Sequence, residues 1–356
     1  MNLKNGILVF SIFSVFLCSS VYSRDVELQF HDVKRKYNPD FNKLNDLGFT
    51  KIIVRAFLNS MSKGGLLFKN DHFEMAYPGF SHIVKKNKKR SFALWGWLIS
   101  KNYACNKNLE IFDTKFEDGK RILVRKLDIF NPKSVKMIVS AFKSMAKLGV
   151  EGILIQDDLA FKSNEGFSKI GMEMFSKLSG VPAREKLMME SGSPYNSKWI
   201  KIKKNVISGL LREIIKGCRM INPNIKIGIN VYYEASIYKK RSNEWHSQDL
   251  MEIAETGVDF IYLMMYHRQM KRELKLRTKK IKELFREGIE YAYKIAGDRL
   301  VVKMETYDWK SKMIIPISEM KKYIRLIPEN IKKICFTPVK NSSLEYLSEL
   351  FAASNN

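Results

Sequence analysis

Gly152-Ile153-Leu154-Ile155-Gln156-Asp157-Asp158 is the stretch on which the fold turns. Four apolar residues run into an amide and two carboxylates. That reads as a strand buried on both faces which brings its polar groups out at its C-terminal end. Upstream, residues 132–148 have helical periodicity, with Pro132 at the start and Gly149 where a left-handed cap belongs, and downstream residues 166–178 are helical again. Helix, buried strand, helix is the repeating unit of a parallel sheet.

Working outward, seven more β-branched or aromatic runs obey the same rule: 26–30, 51–57, 91–99, 225–232, 260–266, 300–305 and 333–338. Amphipathic stretches at 41–47, 79–86, 201–220, 247–255, 278–296 and 317–327 separate them, and 343–352 closes the chain. Eight β/α units predict an α/β protein of the (β/α)8 TIM-barrel type, a single domain. The long connections 58–77, 100–131 and 181–199 are expected to wall a cleft at the C-terminal ends of the strands. No Gly-rich phosphate-binding pattern follows an early strand, so nucleotide-binding folds are set aside.

The 356 residues carry 62 Lys+Arg against 37 Asp+Glu, a net charge of +25, with 45% hydrophobic and 12% aromatic residues. The apolar content supplies a core and excludes disorder. The charge first suggests a polyanion, and the N-terminus changes that suggestion. Lys4 precedes an uncharged apolar run at 6–17, shorter than the roughly 17–25 residues that span a bilayer, and Val21-Tyr22-Ser23 fits a cleavage site. Residues 1–23 are therefore read as a signal peptide, cut near Ser23/Arg24, and 24–356 as a secreted or periplasmic barrel without a membrane span. Outside the cytoplasm the scattered lysines read as a solvated surface, no nucleic-acid partner is expected, and the chain is expected to be a monomer. Cys105, Cys218 and Cys335 show no CxxC spacing, and whether any two pair is left open.

Chemistry is sought at the strand ends. Adjacent carboxylates at a barrel mouth are costly to desolvate together, so one of Asp157 and Asp158 should have a raised pKa, as a general acid requires. Glu305, at the end of the seventh strand, is the partner, as nucleophile or base. His31 and Asp32, Arg55, Trp95 and Trp97, Asn230 and Tyr232, Trp245, Tyr266 and His267, and Asp308 and Trp309 are the candidate substrate-binding residues. Of the two tryptophans, one is expected at the mouth and one outward under the helices. Glu234 is expected in solvent. Plainer roles compete: Asp157 as a helix cap, Asp158 as the ion-pair partner of Arg55 or Lys303. No HxH, HExxH or GxSxG pattern is present, so neither metal, cofactor nor serine nucleophile is expected.

The order of these motifs resembles the glycoside hydrolase domain of PgaB-type poly-β-1,6-N-acetylglucosamine deacetylases and the barrels related to it. The matching residues are His31-Asp32 with Tyr37 to Asp40, Arg55-Ala56-Phe57, Phe92 to Leu98, Gly152 to Asp158, Asn230 to Tyr232 with Glu244 to Gln248, and Glu305 to Trp309. The resemblance implies an eight-stranded barrel that cleaves partially deacetylated poly-β-1,6-glucosamine, with the Asp pair essential and Asp32 and Asn230 lining the groove. This sequence departs from it at Gln156, where the family has His, at Ser163 to Glu165, where it has a further acidic residue, and at Lys303, where its acidic position falls. The function expected is an exported glycoside hydrolase acting on a polysaccharide, with a non-catalytic glycan-binding barrel as the alternative. Expressed in a bacterium with a general secretion pathway, the exported protein should begin at Arg24, as intact-mass measurement will show.

Overall fold

The computed structural model describes residues 24–30, 41–58, 65–103, 109–339 and 343–355. The segment read as a signal peptide, together with His31, Asp32 and Cys105, lies outside them. Eight parallel strands close a barrel: β1 (Asp25–Phe30), β2 (Lys51–Arg55), β3 (Ala93–Leu98), β4 (Gly152–Ile155), β5 (Lys226–Tyr232), β6 (Phe260–Met264), β7 (Leu300–Glu305) and β8 (Lys333–Thr337). Each pairs with its neighbour in the sequence, and β1 meets β8 in the register Asp25↔Lys333 to Leu28↔Phe336. The expected fold is the observed one.

Burial explains why these runs are strands. All four residues of β4 and all six of β7 are buried, one side facing the barrel interior and the other the helices. Three of the helices packed around the barrel start on side-chain caps. Asn131 accepts from the Lys133 amide ahead of Pro132–Ala146, Ser168 from Gly171 ahead of Lys169–Ser179, and Ser193 from Asn196 ahead of Pro194–Arg219. The last helix begins earlier than the periodicity of 201–220 suggested, because Ser193 and Pro194 supply a start signal. Among the described residues no helix is long and apolar enough to cross a membrane.

Two expectations about local structure need correction. The connection after β3 is not all loop, since Phe112–Glu117 and Lys120–Leu127 form an antiparallel hairpin whose turn, Asp118-Gly119, has both φ angles positive. Trp95 and Trp97 do not face opposite ways, because residues two apart share a strand face. Gly96, between them, faces outward, where an added Cβ would stand 2.3 Å from Met145 Sδ.

Trp95 fills the lower barrel. A Cβ at Gly152 would lie 2.2 Å from its ring and one at Gly228 3.2 Å, so strands β4 and β5 make room for the indole by carrying glycine. Lys51 Nζ sits 4.3 Å from the ring centroid and is 2.5 Å from Glu27 Oε1, while the Tyr262 hydroxyl donates to Glu27 Oε2 at 2.7 Å. Aromatic ring, cation and carboxylate together close the floor at the N-terminal ends of the strands. Cys218 and Cys335 are buried free thiols.

Gly152→Ala should lower the unfolding free energy by about 1–3 kcal/mol through overpacking, read from the urea midpoint. The same substitution in a Trp95→Leu background should cost less than it does in the wild type.

Candidate functional site

The C-terminal ends of the strands enclose a cavity of ≈ 270 Å³ above the Trp95 layer. Gln29, Arg55 and Trp97 reach it from β1, β2 and β3, and Asn230, Lys303 and Thr337 from β5, β7 and β8. Gln156 and Asp157 follow β4, Met264 ends β6, and Phe57, Tyr266 and Trp309 arrive from the connections beyond β2, β6 and β7. Period-two alternation forces this convergence, since every inward residue of a last strand turn must point here. Two larger surface grooves, one along Arg325–Lys332 and one beside Lys201 and Lys204, receive no such convergence.

The two adjacent aspartates have different surroundings. Both Asp158 oxygens are occupied: they accept from the amides of Ser100, Lys101 and Asn102 at 2.7–3.1 Å and from the Ser100 hydroxyl at 2.9 Å. This carboxylate fixes the chain leaving β3, and it pairs with neither Arg55 nor Lys303. Asp157 is half-buried on the cavity wall, with one long contact of 3.5 Å from the Tyr232 hydroxyl. Burial first, and then the charge of Asp158, push its carboxyl above the usual range, against the pull of Lys303.

Opposite stands a polar chain. Lys303 Nζ donates to Asn230 Oδ1 at 2.6 Å, and Asn230 Nδ2 donates to the Ile155 carbonyl at 2.9 Å, two residues before Asp157. Burial draws the Lys303 ammonium down to about 8. Gln248 latches the same region, accepting from the Tyr232 amide at 3.1 Å and donating to the Leu159 carbonyl at 3.2 Å. His246 stacks on Tyr232 with centroids 4.0 Å apart.

A second buried cluster backs the loop after Asp158. Lys101 Nζ donates to the Ala160 carbonyl at 2.8 Å and stands 3.7 Å from Glu165 Oε2. Lys203 Nζ reaches the Lys162 and Ser163 carbonyls at 3.4 Å. Burial and the neighbouring Lys101 lower Lys203 to about 7, and burial raises Asp113, which accepts from the Gly166 amide, to about 7.

Several expected residues stand behind the cavity. Glu305 is fully buried, and its Oε1 accepts from the Arg268 and Gln269 amides at 2.7 and 3.3 Å, in the first turn of His267–Leu274. Among the described residues its Oε2 has no hydrogen-bond partner, and burial raises this carboxyl. His267 is bound to Glu319 at 2.8 Å and stacked on Tyr323. Asp308 accepts from Arg272, the Lys310 amide and the Ser311 hydroxyl, which hold it below its ordinary value despite its burial. Trp245 lies half-exposed under Arg241, and Trp95 belongs to the floor. Glu234 is 3% exposed, contrary to the solvated position expected, because it begins the short buried helix Glu234–Ile237.

The cavity thus unites Asp157, Arg55, Trp97, Asn230, Tyr266 and Trp309, with Tyr232 touching Asp157. Sequence reasoning passed over Gln29, Met264, Thr337 and the latch Gln248. The first and third had a visible signal, polar side chains at inward positions of otherwise apolar strands. Among the described residues no group of three His, Cys, Asp or Glu is placed to hold a metal ion.

A family model described as hypothetical glycosyl hydrolase family 13 matches residues 21–336. The fold is similar to the glycoside hydrolase domain of PgaB (BpsB) from Bordetella bronchiseptica, with a TM-score of 0.75 at 16% identity, covering 92% of this chain and 99% of that one. It is also similar to β-galactosidases from Marinomonas ef1 (TM-score 0.62, 8% identity, 93% of this chain, 59% of that) and Halorubrum lacusprofundi (0.64, 8%, 93% and 57%). No curated protein matches.

The aspartates should separate in stability measurements. Asp158→Ala strands three backbone amides and should cost about 3 kcal/mol. Asp157 has its folded pKa raised, so its contribution is present at low pH and is lost as pH rises through that pKa. Asp157→Asn should therefore fold normally and flatten that pH dependence, measured by urea denaturation on the acid side of neutrality.

Proposed function

Because the chain belongs to hypothetical glycosyl hydrolase family 13, we propose that it is an exported glycoside hydrolase cleaving a polysaccharide, with Asp157 as general acid. The observation that carries this reading is the carboxyl of Asp157 itself. It stands on the cavity wall at the end of β4, its pKa raised by burial and by the charge of Asp158, while Asp158 itself is committed to the chain leaving β3. Asp157 gives its proton to the glycosidic oxygen as the C–O bond breaks, and the leaving sugar departs as an alcohol. Trp97 and Trp309 offer rings for a sugar to pack against, and Asn230 and Tyr266 offer polar atoms to its hydroxyls.

Glu305, buried behind the cavity, is the proposed second carboxylate, taking the proton of the attacking water through Oε2, which has no hydrogen-bond partner among the described residues. Asp158 is proposed to position, through Ser100 and Lys101, the chain that borders the cavity. Residues 1–23 are proposed as the leader that delivers the barrel to the periplasm or the medium.

One observation favours a second reading. Among the described residues Asp157 is the one carboxylate lining the cavity, and Lys303 occupies the wall where a second acid would be useful. A barrel so furnished would bind a glycan without cutting it.

Product analysis on a glycan panel decides between the two. Asp157→Asn should reduce turnover by roughly 10²–10⁴-fold, the usual worth of a general acid, with the fold intact. Turnover by the wild type should fall as pH rises through the raised Asp157 pKa. Saturable binding with no shorter chains from the wild type would establish the binding protein instead. Glu305→Gln should abolish turnover at unchanged stability, and retained turnover would reduce Glu305 to holding the helix start.

A further inference from the structure

When Asp157 is protonated and ready to act, the cavity holds a buried ammonium that no other carboxylate among the described residues neutralises directly. Lys303 is 2% exposed, and of its three N–H groups one goes to Asn230 Oδ1. Among the described residues no acceptor takes the other two. Among the described residues the anionic or ionisable groups that face it are Asp157, Glu27 and Cys335. Glu27 has spent one oxygen on Lys51 and the other on Tyr262. Burial pushes the Cys335 thiol far up, so it is neutral. Asp157 remains, and a general acid carries its proton when substrate binds.

The surroundings are basic. Exposed Lys310 follows Trp309 of the cavity wall in the chain, and the net charge is +25. An amino sugar bound here would set an ammonium against Lys303. A neutral sugar could accept its N–H groups but would leave a desolvated charge uncompensated. A carboxylate supplies both the acceptors and the charge.

We propose that the sugar seated in this cavity is a hexuronate, its carboxylate on Lys303, so that the ligand is an acidic polysaccharide. This rests on the glycan-acting reading of the same site. It departs from the cationic polymer that the resemblance of the motifs implies, and the residue responsible is Lys303.

The test uses the 24–356 chain carrying Asp157→Asn, which mimics the neutral acid and should consume its ligand roughly 10²–10⁴-fold more slowly. Binding is measured to alginate, polygalacturonate and hyaluronate, each beside its own carboxyl-reduced form, and to chitosan. At least one acidic polymer should bind about 10-fold or more tightly than its reduced counterpart. Lys303→Met should erase that difference, and Lys303→Arg should keep part of it. Equal affinity within every pair, a difference that survives Lys303→Met, or tighter binding to chitosan would overturn the proposal. With Asp157 restored, binding of an acidic polymer without shortening would refute hydrolysis and leave the uronate assignment standing. Shortening of chitosan or of a reduced polymer alone would do the reverse.

Discussion

The indole of Trp95 inside the barrel is the constraint on which the rest depends. A closed barrel of eight parallel strands has an interior that side chains must fill layer by layer. Here one large ring fills much of the lower layer, and Gly152 and Gly228 are its counterpart. With the floor closed by Trp95, Lys51, Glu27 and Tyr262, the layer above is released from packing duty. Polar residues at the inward positions of β1, β5, β7 and β8 then surround a space instead of filling it. The cavity is thus the upper part of a core whose lower part is solid.

Charge is handled differently at each depth. On the floor, Glu27 and Lys51 neutralise each other. At the cavity, Lys303 and Asp157 face each other without a direct bond, and burial pushes both toward their neutral forms. Behind β4, Asp158 is satisfied by three backbone amides and the Ser100 hydroxyl. Three carboxylates and two lysines within one barrel therefore have three distinct electrostatic roles, set by partners and not by residue type.

The strands were legible because a parallel barrel strand is apolar on both faces, and runs such as GILI and FIYLM have few other destinations in a globular protein. The helices were legible from their caps, most clearly Asn131 with Pro132. The hairpin after β3 also had its signal, Asp118-Gly119, but its second strand is largely exposed and lacks apolar alternation. The pairing of Trp95 with two glycines depends on strands distant in sequence, and so does the capture of Asp158 by residues 100–102. No local pattern encodes these contacts. The motif around Asp157 and Asp158 marked the right strand end, yet only tertiary packing separates the two carboxyls. Glu234 shows the same limit, since nothing in Tyr233-Glu234-Ala235 announces burial.

The loop after Asp158 is held from beneath by Lys101 and Lys203 through the carbonyls of Ala160, Lys162 and Ser163. A carbonyl is supplied by every amino acid. The grip on this segment is therefore independent of its exposed side chains, Lys162 and Ser163, whereas buried Leu159 and Phe161 and the two lysines are fixed by packing. A lineage could rewrite the exposed residues 162 and 163 and keep the backbone path intact. That separation of grip from surface is a physical route by which one barrel acquires new ligands without refolding its mouth.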